Sequence, residues 1–555
     1  MNTKKTDTTQ KFSLLAPNES DSYFCLSPNT QNDLSIDYIT DAISSNSSEK
    51  EAIKRILLKM PISNDIISYR NSIYSELRDE PELCERLYVI FDTMRFYNSD
   101  RQPHIEKGST IWDMLSRLKS LENYIHSILR IKEIISVHEF KSEGLKKFAD
   151  QINEIYSNSG FDELSKDISI ISEDIRDVKS MTLGVNFNND FYPEEVGIIS
   201  LNKFYFYEQS MLKRFMKYHR KDQIADKDLM AFSMEMPDEN LSDMLNKFEK
   251  KYYGTGKQPS ANPLMNNLNG IIERMLPSIT SRLKRVLHKY VDVSGRALFT
   301  LADELLFYLR FIELEKKLTS IGIPCCCGKS SASDTAIKDF CNVKLAVCKL
   351  KGEITDEMVY NDIQFTKDKT VWILTGPNRG GKTILTQGIG LAFLLYQSGV
   401  FIPASSAKIR LCNGIYTHFP VEEEQTISLG RLGEEAERFN TICKTASSDS
   451  LLLFNESFAT TSHTESLYIA EDVLRYLCYK GIRTCFNTHM HELAENAEKY
   501  SNSSNDSCKA ASVVMESNNG NRSYKISFKK PDGKSYAHDI AYKYGITFEQ
   551  LCGNT

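Results

Sequence analysis

Gly376-Pro377-Asn378-Arg379-Gly380-Gly381-Lys382-Thr383 has the residue types and spacing of a phosphate-binding loop, G-x-x-x-x-G-K-[ST]. Its glycines let the backbone curl until successive N–H groups converge on phosphate oxygens. A helix starting at the end of the loop adds partial positive charge. In such a loop Lys382 reaches the outer phosphates and Thr383 offers its hydroxyl to Mg2+. The chemistry requires a strand before the loop and a helix after it. Val371-Trp372-Ile373-Leu374 supply the strand, and a helical pattern from Ile384 to about Gln397 supplies the helix. Without those flanks the same eight residues read as a glycine-rich turn.

A second strand candidate, Leu451-Leu452-Leu453-Phe454, runs into Asn455 and Glu456. An apolar run ending in an acid fits a Walker B strand buried on both faces of a parallel sheet. The residue that closes such a run and holds the Mg2+ shell is normally Asp. Here it is Asn455, whose carbonyl oxygen can orient a metal-bound water but brings no charge, so weaker metal binding is expected. Glu456 stands where a general base would polarise the attacking water; the alternative is a solvated carboxylate at a strand end. A third strand, Ile482 to Thr488, ends in His489, a residue placed to touch a γ-phosphate or to serve as a hydrogen-bonded structural histidine. Upstream of the second strand, Ser428-Leu429-Gly430-Arg431 leads into a helix from Glu434 to about Thr445. Ser and Gly at a helix start make an anion-binding terminus. Where ATP sites form between two protomers, such a segment reaches the partner's γ-phosphate.

These parts need an α/β scaffold, and after about residue 335 the sequence alternates strand-like and helical runs: KLAVCKL, VWILTG, the loop helix, LLLFN, a helix to about Lys480, IRTCFNTH, then SVVMES and YKISFK as a closing hairpin. Asn496 to Ala511 reads as a surface loop. The preceding part is of another texture. Residues 1–22 are polar and expected to be disordered. From 35 to 180 apolar residues recur at helical spacing, as in Leu115, Leu118, Leu121, Ile125 and Ile128. Met181 to Leu201 reads as a small β excursion. Helical patterning resumes at 204–252 and 263–320, separated by YGTGKQPSANP.

The chain has 555 residues, enough for about three or four domains. No apolar run approaches the ~18 residues of a membrane span. Thirteen cysteines without C-x-x-C pairing suit reduced thiols in a cytosolic setting. Adjacent Cys325, Cys326 and Cys327 are poorly placed to bind one metal together. A net charge of −6 means that DNA contact must come from local patches. Lys213, Arg214, Lys217, Arg220 and Lys221 form one candidate patch, and Arg282, Lys284, Arg285 and Lys289 another; either also reads as a solvated helix face.

Taken together these segments resemble the ATPase domain of the MutS family of DNA mismatch-repair proteins. TGPNRGGKT resembles the family's T-G-P-N-x-x-G-K-[ST], and Asn361-Asp362 its N-D turn. GVFIPASSAKIRL resembles G-x-x-V-P-A, NESFATTSHTES resembles D-E-x-x-R-G-T-S-T, and NTHMHEL resembles A-T-H-x-x-E-L. GKSYAHDIAYKYGI resembles S-Y-G-x-x-V-A-x-x-x-G, and ISNDIISYRNSIYSELRDEPEL more weakly resembles the start of the family's helical core. The resemblance implies a multidomain α and α/β chain, a long-helix core and lever followed by a C-terminal ABC-type P-loop ATPase domain. On that reading 1–22 is a tail, 23–180 the first part of the core, 181–290 a lever- or clamp-like region, 291–335 the return of the core, and 336–555 the ATPase. It implies ATP and Mg2+ as ligands, with Thr383 and Asn455 at the metal. It also implies a homodimer with composite sites, in which Glu456, Lys382 and His489 act within the protomer and Ser428 and Gly430 act across it. The implied partner is double-stranded DNA, mismatched or branched, and no membrane is implied. Asn455 stands for the family's Asp, so slow hydrolysis or a site that serves mainly in binding is expected; Ala459 stands for the family's Arg in the same segment. The family's Phe-x-Glu mismatch reader has no counterpart near the N-terminus, so a short member lacking that domain is expected. Two other readings compete with a DNA clamp: a nucleotide-gated binding module with little turnover, and an ATPase that remodels a protein or ribonucleoprotein partner.

Overall fold

A strand buried on both faces reads as a mostly apolar run, and Val371–Thr375, Leu451–Asn455 and Arg483–Asn487 are buried along their whole length, with Thr375, Asn455, Arg483 and Asn487 as polar ends. The computed structural model describes residues 12–18, 22–96, 111–176, 180–190, 193–202, 277–290, 296–377, 380–420, 430–458, 462–501, 508–518, 521–531, 545 and 547–553. They divide into two compact units, one drawn from Met1–Phe91, Ile134–Asp150 and Thr300–Thr555, the other from Asp92–Glu133 and Gln151–Phe299. No helix among the described residues is long and apolar enough to cross a membrane.

The first unit is mixed α/β. Its six-stranded sheet has the order Ile415–His418, Leu451–Asn455, Arg483–Asn487, Val371–Thr375, Ala510–Asn518, Asn521–Ser527. The first five strands are parallel, and the last closes an antiparallel hairpin, as SVVMES and YKISFK predict. The helix Lys382–Gln397 packs tightly on this sheet: a Cβ at Gly390 would stand 2.6 Å from Leu453 Cδ1. On the other side, Ala470, Leu474 and Leu477 of His463–Lys480 close over Leu452, Phe454 and Phe486. A separate four-stranded sheet pairs Lys329–Ser330, Ser406–Ile409, Thr335–Phe340 and Asn361–Phe365.

Two expectations are corrected. KLAVCKL is a helix, Val343–Leu350, because Asn342 Oδ1 accepts from Lys344 N at 2.8 Å as an N-cap, and Val343, Ala346 and Val347 make a buried stripe. Ser13–Leu15, placed by composition in a disordered tail, are held in the core of the first unit. Leu14 is fully buried; Tyr308 Oη donates to Leu14 O at 2.7 Å, Tyr69 Oη to Ser13 O at 2.9 Å, and Arg70 Nε to Leu15 O at 2.7 Å. Leu14 N and Ser13 Oγ donate to Glu304, whose carboxyl is nevertheless pushed up to about 7 by burial.

The second unit is helical with a β-hairpin, Ser180–Phe187 against Pro193–Asn202, which is the excursion expected from Met181 to Leu201. Helix Pro277–Lys289 buries Leu283 and Leu287 and exposes Arg282, Lys284 and Arg285. Lys289 is committed to ion pairs with Glu163 at 2.6 Å and Asp167 at 2.7 Å. The candidate basic run 213–221 and the helical run expected at 204–252 lie outside the described residues.

Candidate nucleotide-binding site

The glycine spacing sets the backbone of the loop after Val371–Thr375. Gly376 has φ +142° and its missing Cβ would lie 2.7 Å from Met515 Cβ; Gly381 has φ +90°. Any side chain at Gly376 would collide with the neighbouring strand, and one at Gly381 would be strained in a left-handed conformation. Lys382 opens the helix Lys382–Gln397 and is buried, with Nζ donating to Gly376 O at 3.1 Å and Pro377 O at 3.2 Å. Burial holds its pKa below the ordinary lysine value, against the opposing charge of Glu456. Asn378 and Arg379 lie outside the described residues.

Parallel register brings the other candidates to the same edge of the sheet. Asn455 ends its strand directly opposite Asn487, and Asn487 lies opposite Leu374, just before the loop. Thr383 Oγ1 donates to Asn455 Oδ1 at 2.8 Å. Asn487 Nδ2 donates to the same oxygen at 2.5 Å. Glu456 follows with φ +52°, its N–H donating to Asn487 O at 2.9 Å. Its Oε1 lies 2.6 Å from His489 Nε2. That hydrogen bond above all, with a smaller pull from the charge of Lys382, holds the Glu456 carboxyl below the usual carboxylate range against the opposing effect of burial. Gly376, Pro377, Gly380, Gly381, Lys382, Thr383, Asn455, Glu456 and His489 therefore share one edge. Gly430 begins helix Gly430–Thr445, and Ser428 lies outside the described residues.

Three contributors escape the motif reading. Asn487 is one; its signal was its place before Thr488-His489, where the resembling pattern has Ala. The others are His418 and Glu435. Glu456 and Phe458 both have positive φ, a strained conformation for residues with side chains. Phe458 N donates to Glu435 Oε2 at 2.6 Å, and His418 Nε2 lies 3.0 Å from Glu435 O. A carbonyl can only accept, so the imidazole proton sits on Nε2, and the single Ser457 hydroxyl proton is shared between His418 O at 2.8 Å and Nδ1 at 2.7 Å. Helix Gly430–Thr445 is thereby tied to the turn that aims Glu456.

Burial pushes the His418 pKa down to about 4. Between about pH 4 and 6.5 the unfolded chain binds a proton there and the folded chain does not. Stability is therefore lost as pH falls through that window, on the order of 3 kcal/mol if the whole shift is expressed. Glu304 acts in the opposite sense: the folded chain keeps a proton that the unfolded one releases, so its contribution is lost as pH rises towards 7. The difference between native chain and His418→Gln in chemical denaturation isolates the histidine. The variant's relative stability is expected to improve as pH falls from 7 to 4.5; a pH-independent difference would contradict the buried neutral imidazole.

The donor set fits ATP and Mg2+: backbone amides around curled glycines, a buried ammonium, and a threonine hydroxyl held by an amide oxygen beside an ionised carboxylate. Fold and site together define a phosphate-loop nucleotide-binding protein of mixed α/β class. Residues 372–549 match the description MutS domain V, and residues 62–321 match the MutS2 N-terminal domain. The DNA mismatch repair protein MutS of Prochlorococcus marinus (strain MIT 9312) is 35% identical over 193 residues, 34% of this chain and 21% of that protein. Endonuclease MutS2 of Streptococcus equi subsp. equi (strain 4047) is 33% identical over 203 residues, 36% of this chain and 25% of that protein. Endonuclease MutS2 of Finegoldia magna (strain ATCC 29328 / DSM 20472 / WAL 2508) is 33% identical over 182 residues, 32% and 22%. The chain belongs to the MutS family, and its match spans only about a fifth to a quarter of these relatives' length.

Proposed function

We propose that this chain is an ATP-dependent DNA-binding protein of MutS type, in which ATP binding and hydrolysis within a homodimer are coupled to clamping of mismatched, branched or otherwise altered duplex. The observation that carries it is the convergence of Lys382, Thr383, Asn455, Glu456 and His489 on one sheet edge. Gly376–Thr383 and Lys382 would hold the phosphates; Thr383 and Asn455 would hold Mg2+, which when bound offsets charge on the phosphate oxygens. Glu456 accepts the proton of the attacking water, and His489 reports the γ-phosphate. Ser428 and Gly430 serve the partner's site, and the long helices carry closure to the DNA.

The test is a titration of labelled homoduplex, mismatched and junction DNA with and without ATP and magnesium, at several salt concentrations. Affinity is expected to change at least tenfold with nucleotide and to fall steeply with salt. DNA affinity indifferent to nucleotide overturns the reading. Asn455 favours a second reading, a nucleotide-gated binding module with little turnover. Under it Asn455→Asp raises steady-state ATP turnover at least tenfold; an unchanged rate rejects it.

A further inference from the structure

Asn455 and Asn487 are directly paired on adjacent strands, and both are buried. The Asn455 oxygen receives two donors, the Thr383 hydroxyl and the Asn487 amide. The resembling pattern has Asp and Ala at these two places, so the chain carries a second amide where it carries the first. We propose that Asn487 is a positioning residue that fixes the carbonyl end of Asn455 towards Thr383, letting a neutral side chain do the work of a carboxylate. The proposal rests on the reading of this edge as an ATP and Mg2+ site.

A carboxylate has two equivalent oxygens and presents an acceptor whichever way it lies. An amide has an acceptor end and a donor end. Turned over alone, Asn455 would set its NH2 against that of Asn487 and point a donor at Thr383, where a cation belongs. A clash of buried donors disfavours that arrangement by roughly fivefold to over a hundredfold. Turning both amides together leaves the Asn487 NH2 unpaired, two N–H donors in place of the one buried carbonyl, Asn487 Oδ1, that has no partner among the described residues. Asn487 further fixes the next residue, since its own carbonyl accepts from Glu456 N at 2.9 Å.

The test measures binding of a fluorescent ATP analogue to the full chain as a function of Mg2+, with an EDTA arm. Native chain, Asn487→Ala, Asn455→Asp and the double variant are compared. Asn487→Ala is expected to raise the Mg2+ needed for half-maximal tightening at least tenfold and to leave affinity in EDTA within twofold. In the Asn455→Asp background the same change is expected to shift it less than twofold, because a carboxylate needs no orienting. Equal shifts in both backgrounds, or none in the native one, overturn the proposal. Should the Ala variant fail to fold, Asn487→Leu keeps the branched heavy-atom skeleton and removes the donor. Loss of analogue binding by the native chain in both arms would instead remove the site reading itself, a result distinct from binding that ignores Asn487.

Discussion

Glu456→Gln is expected to lower steady-state ATP turnover by about 10²–10⁴-fold while leaving ATP affinity within a few fold. The carboxyl is held below its usual pKa by the His489 hydrogen bond, so it is an anion at neutral pH, the form that a general base needs. Gln has the same size and can keep the contact with His489, but cannot take up a proton. The backbone is fixed independently: Glu456 N is bonded to Asn487 O, and the turn is braced at Ser457 and Phe458 by His418 and Glu435. Ground-state binding, which depends on Lys382 and the loop, is therefore left intact. The measurement is turnover beside nucleotide affinity, on the native chain and in the Asn455→Asp background. Unchanged turnover in both would make Glu456 a solvated carboxylate. Parallel loss of binding and turnover would make it a structural one.

The site was legible where its chemistry is local. The loop, its strand and helix, the run ending at Asn455-Glu456 and the strand ending before His489 are contiguous strings whose periodicity and breakers give them away. What stayed hidden depends on register across the sheet. Asn455 and Asn487 are 32 residues apart and become partners only because two parallel strands align. His418 and Glu435 look unremarked in sequence because their roles are to hold a turn whose strain is a backbone property. KLAVCKL failed for another reason: seven mostly apolar residues suit a strand or a buried helix equally, and the cap at Asn342 decides. The polar N-terminus concealed the short apolar run around Leu14, whose anchoring through the carbonyls of Ser13, Leu14 and Leu15 no composition average registers.

Arg310→Met is expected to destabilise the first unit by about 3–5 kcal/mol. Arg310 lies on helix Arg296–Ser320 with its guanidinium nearly buried, and pairs with Glu49, which is 1% exposed. Its Nη2 also donates to Tyr88 Oη at 2.8 Å and its Nη1 to Glu313 at 2.7 Å, with the guanidinium 4.8 Å from the Tyr88 ring centroid. The helix Ser47–Leu58 that carries Glu49 is remote in sequence, so the pair fixes how two distant segments meet. Methionine keeps much of the packing but leaves a carboxylate buried without its cation, and that desolvation is the main cost. The pair as a whole is a different matter, since two buried charges are nearly balanced by the cost of burying them. Arg310→Met with Glu49→Leu is therefore expected to recover most of the loss. Chemical denaturation of the two single variants and the double measures the coupling. Additive losses would show that the charges do not depend on each other, and a single-variant cost below about 1 kcal/mol would place the pair in solvent. Recovery would mean that this pair contributes alignment rather than stability, setting the helix that also carries Glu304 and Tyr308, the residues that anchor Leu14.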